Sequence, residues 1–465
     1  MKIHACLILG MTAVGAILRP ASAETLQSAL ASAYAYNPDL NQQRAGVRVH
    51  DESVAKAWSG LRPNASVIAG LGAQRTELLV PTIRLPFMHE RIYLHSDHDS
   101  NPQAVSVNVS QTIFDGGRTF NNVKKAESTV LSARANLRLT EQAILLNAAT
   151  AYMDVLRDTA ILSLRQNNIR VLELQLRNTQ DSATAGYLTE TDVAQADAAL
   201  SQAHSDLYGA QARLKKSAAT YHRIVGEEPK RLQPAGSVEK LLPRNVEEAV
   251  AIATASHPGV EAAHHQVDAA QFAVHAAEAD FLPSASVNGQ LSQQNDFFFG
   301  LPGWRQFSYG VNVNFRVPLY QGGADFASVR QAKEQVGQAR FGVDSQMGDA
   351  RANVVGSYAS LEAAKLQMKS DRATVKAAEL ALNGVREEAK VGLRTTLDVL
   401  NAQQSLLHAR VNMVVSQHDV VVASYAALSA IGGLNRQALK LDVEHYDPEQ
   451  HFEQVRGKFF GVDTP

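Results

Sequence analysis

The chain contains one structural unit twice. Asn37-Pro38 follows an Ala-rich segment, and His257-Pro258 follows a second Ala-rich segment 220 residues later. Ile-Phe-Asp-Gly-Gly at 113–117 returns as Leu-Tyr-Gln-Gly-Gly at 319–323, 206 residues later. Because the offset changes from 220 to 206 residues only once, the two copies differ by a single insertion or deletion between these motifs and otherwise match. A unit that recurs over most of a chain predicts a pseudo-symmetric architecture rather than two unrelated domains.

Residues 1–23 have the pattern of a secretory signal peptide. Lys2 precedes an apolar stretch, and Ala21-Ser-Ala23 forms a small-residue cleavage site, so we expect cleavage before Glu24. The single cysteine, Cys6, lies inside this segment, which leaves the mature chain without any. The mature protein is therefore expected to depend on neither disulfides nor thiolate metal sites.

The charge of the chain argues against nucleic acid as a partner. The full sequence has 44 basic and 46 acidic residues and a formal net charge of −2. Loss of Lys2 and Arg19 with the signal leaves 42 basic residues against 46 acidic ones, a net charge of −4. Such a chain lacks the basic patch that neutralises phosphates. Beyond the signal no apolar run approaches the roughly 20 residues of a membrane helix, so a membrane crossing would have to use strands.

Apolar and small polar residues alternate with a period of two in four segments, at about 64–74, 104–114, 284–294 and 306–320. Each is about the 10 residues that a tilted strand needs to cross hydrocarbon. The polar face holds Ser, Asn, Gln and Gly, which suits the wall of a water-filled lumen. An antiparallel sheet with one solvated face gives the same alternation, so both interpretations stay open at this point.

Four strands cannot close into a barrel, and open sheet edges are not tolerated in lipid. Three chains would supply twelve strands, enough to enclose an open lumen. The connections at about 75–103 and 295–306 are long, which suits the outer-surface side of such a barrel. The pattern therefore predicts transmembrane β-structure that other copies of the chain complete.

The rest of the chain has the pattern of unusually long helices. Neither Pro nor Gly occurs between Gly117 and Gly186, and an unbroken helix of that length would reach on the order of 100 Å. The prediction is a mainly α protein built from a duplicated helix–strand–strand–long helix–long helix unit. The long helices are expected at about 118–185, 187–225, 324–391 and 393–431.

These elements divide the mature chain into four regions. They are a first repeat at 24–226, a linker at 227–244, a second repeat at 245–432 and a C-terminal extension at 433–465. The extension lies outside the duplication. We expect it to pack on the outer girdle of a helical barrel or to remain partly disordered.

Glycines mark two kinds of turn. A pair directly after a strand lets the chain turn into a helix, and a single glycine separates the two long helices of each copy at their far end. The strand-to-helix turns contain Gly116, Gly117, Gly322 and Gly323. The helix-to-helix turns are Ala185-Gly-Tyr-Leu-Thr189 and Val391-Gly-Leu-Arg-Thr395.

An ordered series of short motifs spans essentially the whole mature chain. The series is Asn37-Pro38, Leu61-Arg-Pro-Asn-Ala65, Phe114-Asp-Gly-Gly117, Leu319-Tyr-Gln-Gly-Gly323 and Val391-Gly-Leu-Arg-Thr-Thr-Leu-Asp-Val399. Because it contains these motifs in this order, the chain resembles the TolC family of outer-membrane efflux and secretion channels. The resemblance implies a homotrimer with a twelve-strand β-barrel in the outer membrane, continued by a long α-helical barrel through the periplasm. It also implies docking onto a periplasmic adaptor and an inner-membrane pump, either an ABC transporter or a proton-driven exporter.

The resemblance assigns roles to residues at the helical tips. Asp398 matches an acidic residue that lines the narrow periplasmic entrance, where a carboxylate ring favours cations. Arg394 and Asp192 match positions in the interhelical network that holds the entrance shut. The positions that match adaptor-docking turns are Gly186, Tyr187, Leu188, Thr189, Gly392, Leu393 and Thr395.

The residues alone allow simpler roles for the same side chains. An Asp soon after a helix start caps free N–H groups and stabilises the positive end of the helix dipole, which would account for Asp192 and Asp398. Arg394 would then be a solvated charge. The chain also departs from the best-known family member, because Ala389 stands where that protein has a latch tyrosine and Asn401 stands at its second acidic ring position. We therefore expect the closed state to be held differently.

The sequence contains no Ser-His-Asp arrangement, Gly-rich phosphate loop or metal-binding HExxH motif. We therefore expect neither an enzyme nor a cofactor. The function predicted is that of a passive exit duct in the outer membrane, which opens at its periplasmic helical tips and is powered by an inner-membrane partner. The alternative is a periplasmic adaptor or scaffold, whose coiled-coil hairpins would also produce long helices.

Overall fold

The computed structural model describes residues 24–81, 93–296 and 303–464. The predicted signal peptide at 1–23 lies outside these residues. Helices dominate the fold, and the strands form one four-stranded sheet and one separate hairpin. Within the described ranges, no helix is both long enough and apolar enough to cross a membrane.

The two halves of the chain repeat the same order of elements, except that the first half contains the additional strands β2 and β3. The first half comprises α1 Leu26–Tyr36, α2 Pro38–Trp58, β1 Asn64–Leu71, β2 Gln74–Pro81, β3 Tyr93–Ser100, β4 Gln103–Phe114, α3 Arg118–Thr184 and α4 Glu190–Val225. The second comprises α5 Val246–Ser256, α6 Pro258–Glu278, β5 Ser284–Asn295, β6 Arg305–Arg316, α7 Ala324–Lys390 and α8 Thr396–Ala430, followed by α9 Pro448–Val455. Both α3 and α7 have 67 residues, and both α2 and α6 have 21.

The repeated X-Pro pair separates the short first helix of each half from the second. Pro38 occupies the first helical position of α2, where its missing N–H costs nothing. The side chain of Asn37 accepts hydrogen bonds from the N–H groups of Asp39 and Leu40 at 3.0 and 3.3 Å. In the second half, Nδ1 of His257 accepts from the N–H of Gly259 at 3.2 Å. In each half, the residue before the proline therefore ends the first helix and caps the N-terminus of the second.

The four-stranded sheet is antiparallel throughout and has the order β1-β4-β5-β6. Its register aligns Val67 with Val107, Val107 with Leu291 and Leu291 with Tyr309, so one row of apolar side chains crosses all four strands. The strands connect the two halves because β4 of the first half pairs with β5 of the second. Within the described part of the chain, β1 and β6 form the two edges of this sheet.

Three expectations about the strands and helices are corrected. Strand β6 ends at Arg316 rather than near 320, because Pro318 has no N–H to donate to a ladder. Strand β1 ends at Leu71, and the segment that was expected to be a loop from about 75 contains the β2–β3 hairpin. The second long helices begin at Glu190 and Thr396, three residues later than expected, because Thr189 and Thr395 cap them.

The main hydrophobic core lies midway along the long helices. It joins α1, α2, α3, α4 and α8 to the segment 434–441. Tyr152 at its centre is fully buried, and its hydroxyl lies 2.8 Å from the backbone carbonyl of Glu24 and 2.7 Å from that of Gln233. Leu434 and Leu441 are buried in the same cluster, so the start of the C-terminal extension is a packed part of the helical body.

The strand-to-helix turns connect the sheet to the long helices through paired glycines with positive φ. Gly116 and Gly117 have φ of 67° and 86°, and Gly322 and Gly323 have φ of 66° and 87°. The two turns have different surroundings. A Cβ on Gly116 would lie 2.7 Å from Cβ of Leu282 and 2.9 Å from a backbone oxygen, whereas no atom of the residues that the structure describes lies within 4 Å of a Cβ on Gly322.

Gly116→Ala and Gly322→Ala form a matched pair that tests this difference. Each substitution places a side chain at positive φ, which costs about 1–3 kcal/mol. Gly116→Ala adds overpacking against Leu282, which costs a further ~1–3 kcal/mol. We expect the thermal midpoint of the purified protein, followed by circular dichroism, to fall further for Gly116→Ala. Equal midpoints would contradict the close approach at Gly116.

Candidate functional site: the helical tips

Both helix-to-helix turns have the same backbone structure. Gly392 donates to the carbonyl of Ala389 at 3.1 Å, and Leu393 donates to that of Glu388 at 2.9 Å. Tyr187 and Gly186 make the matching bonds to Ser182 and Ala183 at 2.9 Å each. This pair of bonds closes a Schellman motif, which places one residue in the left-handed region. Gly186 and Gly392 occupy that position with φ of 82° and 77°.

The tips present apolar side chains to solvent. Tyr187 is 85 % exposed and Leu393 is 76 % exposed, although each follows directly on a long, well-packed helix. Leu188 is half-buried beside Tyr187. Exposed apolar groups at the ends of rigid hairpins are suited to contact with another protein.

The long second helices begin with identical capping boxes. Oδ2 of Asp398 accepts hydrogen bonds from the N–H and the hydroxyl of Thr395 at 3.0 and 2.9 Å. Oδ2 of Asp192 accepts from the N–H and the hydroxyl of Thr189 at 2.9 and 2.7 Å. Each Thr hydroxyl in turn accepts from the backbone N–H of its Asp. The capping role that the residues alone allowed is therefore present at both tips.

The capping bonds keep both carboxylates ionised. Hydrogen bonds from the hydroxyl and the N–H of Thr189 lower the pKa of Asp192. The N–H and the hydroxyl of Thr395 lower the pKa of Asp398, and the positive charge of Arg394 acts in the same direction. In each box Oδ2 makes the capping bonds, so the negative charge remains available at the tip surface.

The structure pairs Arg394 with a residue that the sequence did not single out. Nε of Arg394 donates to Oε2 of Glu388 at 2.8 Å, across the turn between α7 and α8. Arg394, Asp398 and Glu388 therefore form one charged group at the second tip, while the bonds of Asp192 go to Thr189 at the first. Glu388 lies six residues before Arg394 with a Gly turn between them, which is the signal that could have identified it.

A second charged cluster joins the two halves farther along the helices, and sequence analysis missed it. Nε2 of His418 on α8 lies 3.0 Å from Oδ1 of Asp154 on α3, and its Nδ1 lies 2.8 Å from Asp419. Arg157 contacts Asp154 at 2.7 Å and Asp158 at 2.9 Å. Burial lowers the pKa of His418, but the hydrogen bonds to Asp154 and Asp419 outweigh it, so the net shift is upward.

The raised pKa of His418 predicts a pH-dependent contact between α3 and α8. A raised folded-state pKa contributes stability that is fully present below the ordinary value of 6.5 and is lost as pH rises through the folded pKa. We expect thermal stability to decline from about pH 6.5 upward and His418→Gln to remove that part of the decline. Thermal unfolding of both proteins at a series of pH values measures this decline. His408→Gln, on the exposed side of the same helix, is the control and should leave the profile unchanged.

Comparisons with known proteins agree with this architecture. The chain matches the family model "Outer membrane efflux protein" over residues 29–227 and 250–433. It is 40% identical over 447 residues to the outer membrane efflux protein BepC of Brucella suis, covering 96% of this chain and 93% of BepC. It is 24% identical over 432 residues to the alkaline protease secretion protein AprF of Pseudomonas aeruginosa, covering 91% and 85% of the two chains.

The fold is shared with solved outer-membrane channels. The crystal structure of the Campylobacter jejuni CmeC outer membrane channel superposes with a TM-score of 0.72 at 15% identity, covering 93% of this chain and 89% of CmeC. The architecture is thus that of an outer-membrane channel protein with a long helical body. The chain belongs to the outer membrane efflux protein family. Its place is the outer membrane of a Gram-negative bacterium, and the alternative of a periplasmic adaptor finds no support among these relatives.

Proposed function

We propose that three copies of this chain close into one duct through which substrates leave the cell. The observation that carries this proposal is the sheet, which is open at both edges and has one apolar face. Tyr309, Val311 and Phe315 on β6 are each more than three-quarters exposed. Backbone groups at an open edge cannot stay unpaired in hydrocarbon. Joining β6 of one copy to β1 of the next would remove every edge, and three copies would supply twelve strands.

The helical layer is open on the same two sides as the sheet. Contacts between helices run in the order α2, α3, α6, α7, so α2 and α7 stand at the ends of this layer. Because α2 leads into β1 and β6 leads into α7, one neighbouring copy would cover both open ends together. Exposed apolar side chains on α7, such as Phe341 and Leu380, would become part of that contact. The sheet and the helices therefore support the same closed assembly.

Substrates would pass through this duct passively. The face of the sheet opposite the apolar row holds Ser and Asn side chains and glycines, which suit a water-filled lumen. No group within the described residues supplies a source of energy, so an inner-membrane ABC or proton-driven exporter would drive transport. The exposed tips, with Gly186, Tyr187, Leu188 and Thr189 at one and Gly392, Leu393 and Thr395 at the other, would dock the periplasmic adaptor.

Gating would take place at the same tips. In a trimer, three copies of Asp398 would form a ring of ionised carboxylates, which attracts cations at a constriction. Arg394, paired with Glu388 in each copy, and Asp192 would belong to the charged network that holds the helices together. Exchange of such ion pairs between helices would shift the balance between closed and open states.

The register between neighbouring copies follows from the internal repeat. Val107 on β4 pairs with Leu291 on β5. In the internal repeat, Val107 of the first half corresponds to Val313 of the second half, 206 residues later. Leu291 of the second half corresponds to Leu71 of the first half, 220 residues earlier. If the junction between chains copies the junction between halves, Val313 of one chain lies opposite Leu71 of the next.

This register predicts a disulfide cross-link in a chain whose only cysteine lies in the expected signal peptide. The double variant Leu71→Cys/Val313→Cys should form covalent dimers and trimers, and no larger species, on a non-reducing gel after oxidation. The matched control Val107→Cys/Leu291→Cys joins strands within one chain and should run as a monomer. Monomers only, or a ladder that continues beyond three, would refute the closed trimer.

Planar-bilayer recordings of two Asp variants test the gate. Asp192 and Asp398 occupy equivalent positions in identical capping boxes, so their replacement by Asn removes one negative charge from each and leaves an oxygen that can accept the same capping bonds. We expect Asp398→Asn to reduce the preference for cations over anions, because it removes the carboxylate ring. Asp192→Asn should alter conductance without changing ion preference. A channel with the same ion preference in both variants would exclude Asp398 as the constriction.

A further inference from the structure

The segment after α9, residues 456–464, exposes large apolar side chains and is called here the C-terminal tail. Phe460 is 89 % exposed and Val462 is 98 % exposed, and Phe459 next to them is more than half exposed. The rings of Phe459 and Phe460 lie with their centroids 6.4 Å apart. Three apolar side chains within four residues form a small exposed patch, which indicates a contact surface.

The C-terminal tail is held at the foot of the sheet, where the chain passes from α2 into β1. The guanidinium of Arg62, two residues before β1, lies 4.0 Å from the centroid of the Phe459 ring. Nη1 of Arg62 also donates to the carbonyl oxygen of Lys458 at 2.9 Å. The neighbouring carbonyl of Leu61 accepts from Nε2 of Gln111 on β4 at 3.2 Å. The tail therefore lies level with the beginning of the strands.

The packing of α9 shows on which side of the helical layer the tail lies. Phe452 of α9 packs with Val54 and Trp58 of α2, and Nδ1 of His451 lies 2.9 Å from Oδ2 of the buried Asp51. At 3.6 residues per turn, positions 51, 54 and 58 share one face of α2. The tail follows α9 directly, so it emerges on this same side of α2.

The face of α2 opposite to Asp51, Val54 and Trp58 lies on the polar side of the sheet. Ser53 and Lys56 line a cavity of about 1050 Å³ together with Ser286 and Asn314, which belong to the polar face of β5 and β6. Positions 53 and 56 lie about half a turn away from 51, 54 and 58. If the polar face of the sheet borders the lumen, as the proposed function requires, α9 and the C-terminal tail lie on the outside of the duct.

Positive charge accompanies the apolar side chains. Arg62 directs its guanidinium to a carbonyl oxygen and an aromatic face, so its charge is not neutralised by these contacts. Lys458 donates to the backbone carbonyl oxygen of Asp463 at 2.6 Å, and the carboxylate of Asp463 is the one negative side chain in the tail. A combination of exposed aromatic groups and cations at the edge of a membrane-spanning element matches the interfacial region of a bilayer. The cations would face lipid phosphates while the apolar groups reach the start of the acyl chains.

We propose that the C-terminal tail lies on the periplasmic leaflet of the outer membrane, with Phe460 and Val462 inserted at its interface. The inference rests on the proposed function, since it places the foot of the sheet at the membrane boundary. Three tails would then form a lipid-contacting collar around the duct. The contact would set the depth of the barrel in the membrane independently of any strand.

Site-directed spin labelling in proteoliposomes of phosphatidylethanolamine and phosphatidylglycerol tests this placement. The mature chain is expected to contain no cysteine, so single labels are introduced through Phe460→Cys, Val67→Cys on the apolar face of β1, and Tyr187→Cys at the helical tip. All three positions are well exposed in the chain. The ratio of collision rates with oxygen, which enriches in lipid, and with a water-soluble nickel chelate then reports the depth of each label.

We expect a several-fold higher ratio at Phe460→Cys than at the aqueous reference Tyr187→Cys, and a value below that of Val67→Cys. A ratio at Phe460→Cys equal to that of Tyr187→Cys would refute the lipid contact, including the case in which another protein covers the tail. A low ratio at Val67→Cys would instead refute the transmembrane sheet itself. The two failures are therefore distinguishable in one set of samples.

Discussion

Unpaired backbone N–H and C=O groups along β1 and β6 impose the strongest constraint on this protein. Each such group costs free energy when it loses water without gaining a partner, and the apolar row that crosses the sheet would place these edges in hydrocarbon in the proposed duct. Pairing with further copies of the same sheet is the solution that leaves no edge. In the proposed trimer the helical layer would close in the same way, because α2 and α7 adjoin the edge strands and stand at the same two ends of the helical order.

The sheet is connected to the helices by a short turn with specific side-chain hydrogen bonds. Asp115 accepts hydrogen bonds from the N–H groups of Gly117 and Thr119 at 3.1 and 2.8 Å, which fixes the start of α3 directly after β4. Midway along the helices, the core around Tyr152 joins the first and last parts of the chain to both halves. The tips lie far from this core and are held by their own capping boxes.

Sequence patterns predicted most of the elements and the tips, and the reasons for the exceptions are physical. The long helices were evident because helix breakers are absent from 118–185, but the second helix of each pair was expected three residues too early because Thr189 and Thr395 were not recognised as its caps. The β2–β3 hairpin was missed because β3 is polar and charged, with Arg75 and Asp97 paired across strands in place of an apolar alternation. Glu388 was missed because Arg394 was considered with other helices rather than with its own turn.

The sequence by itself determined the duplicated order of the long elements, the alternation of the four sheet strands and the positions of the glycine turns, because these depend on local periodicity and on residues with special backbone geometry. Only the tertiary structure decided which groups meet across the two halves. His418 and Asp154 are 264 positions apart, and Arg62 meets Phe459 from the other end of the chain. Such contacts follow from the packing of α8 on α3 and of α9 on α2. A local sequence pattern does not predict them, because the residue type of one side chain does not specify which distant residue it will contact.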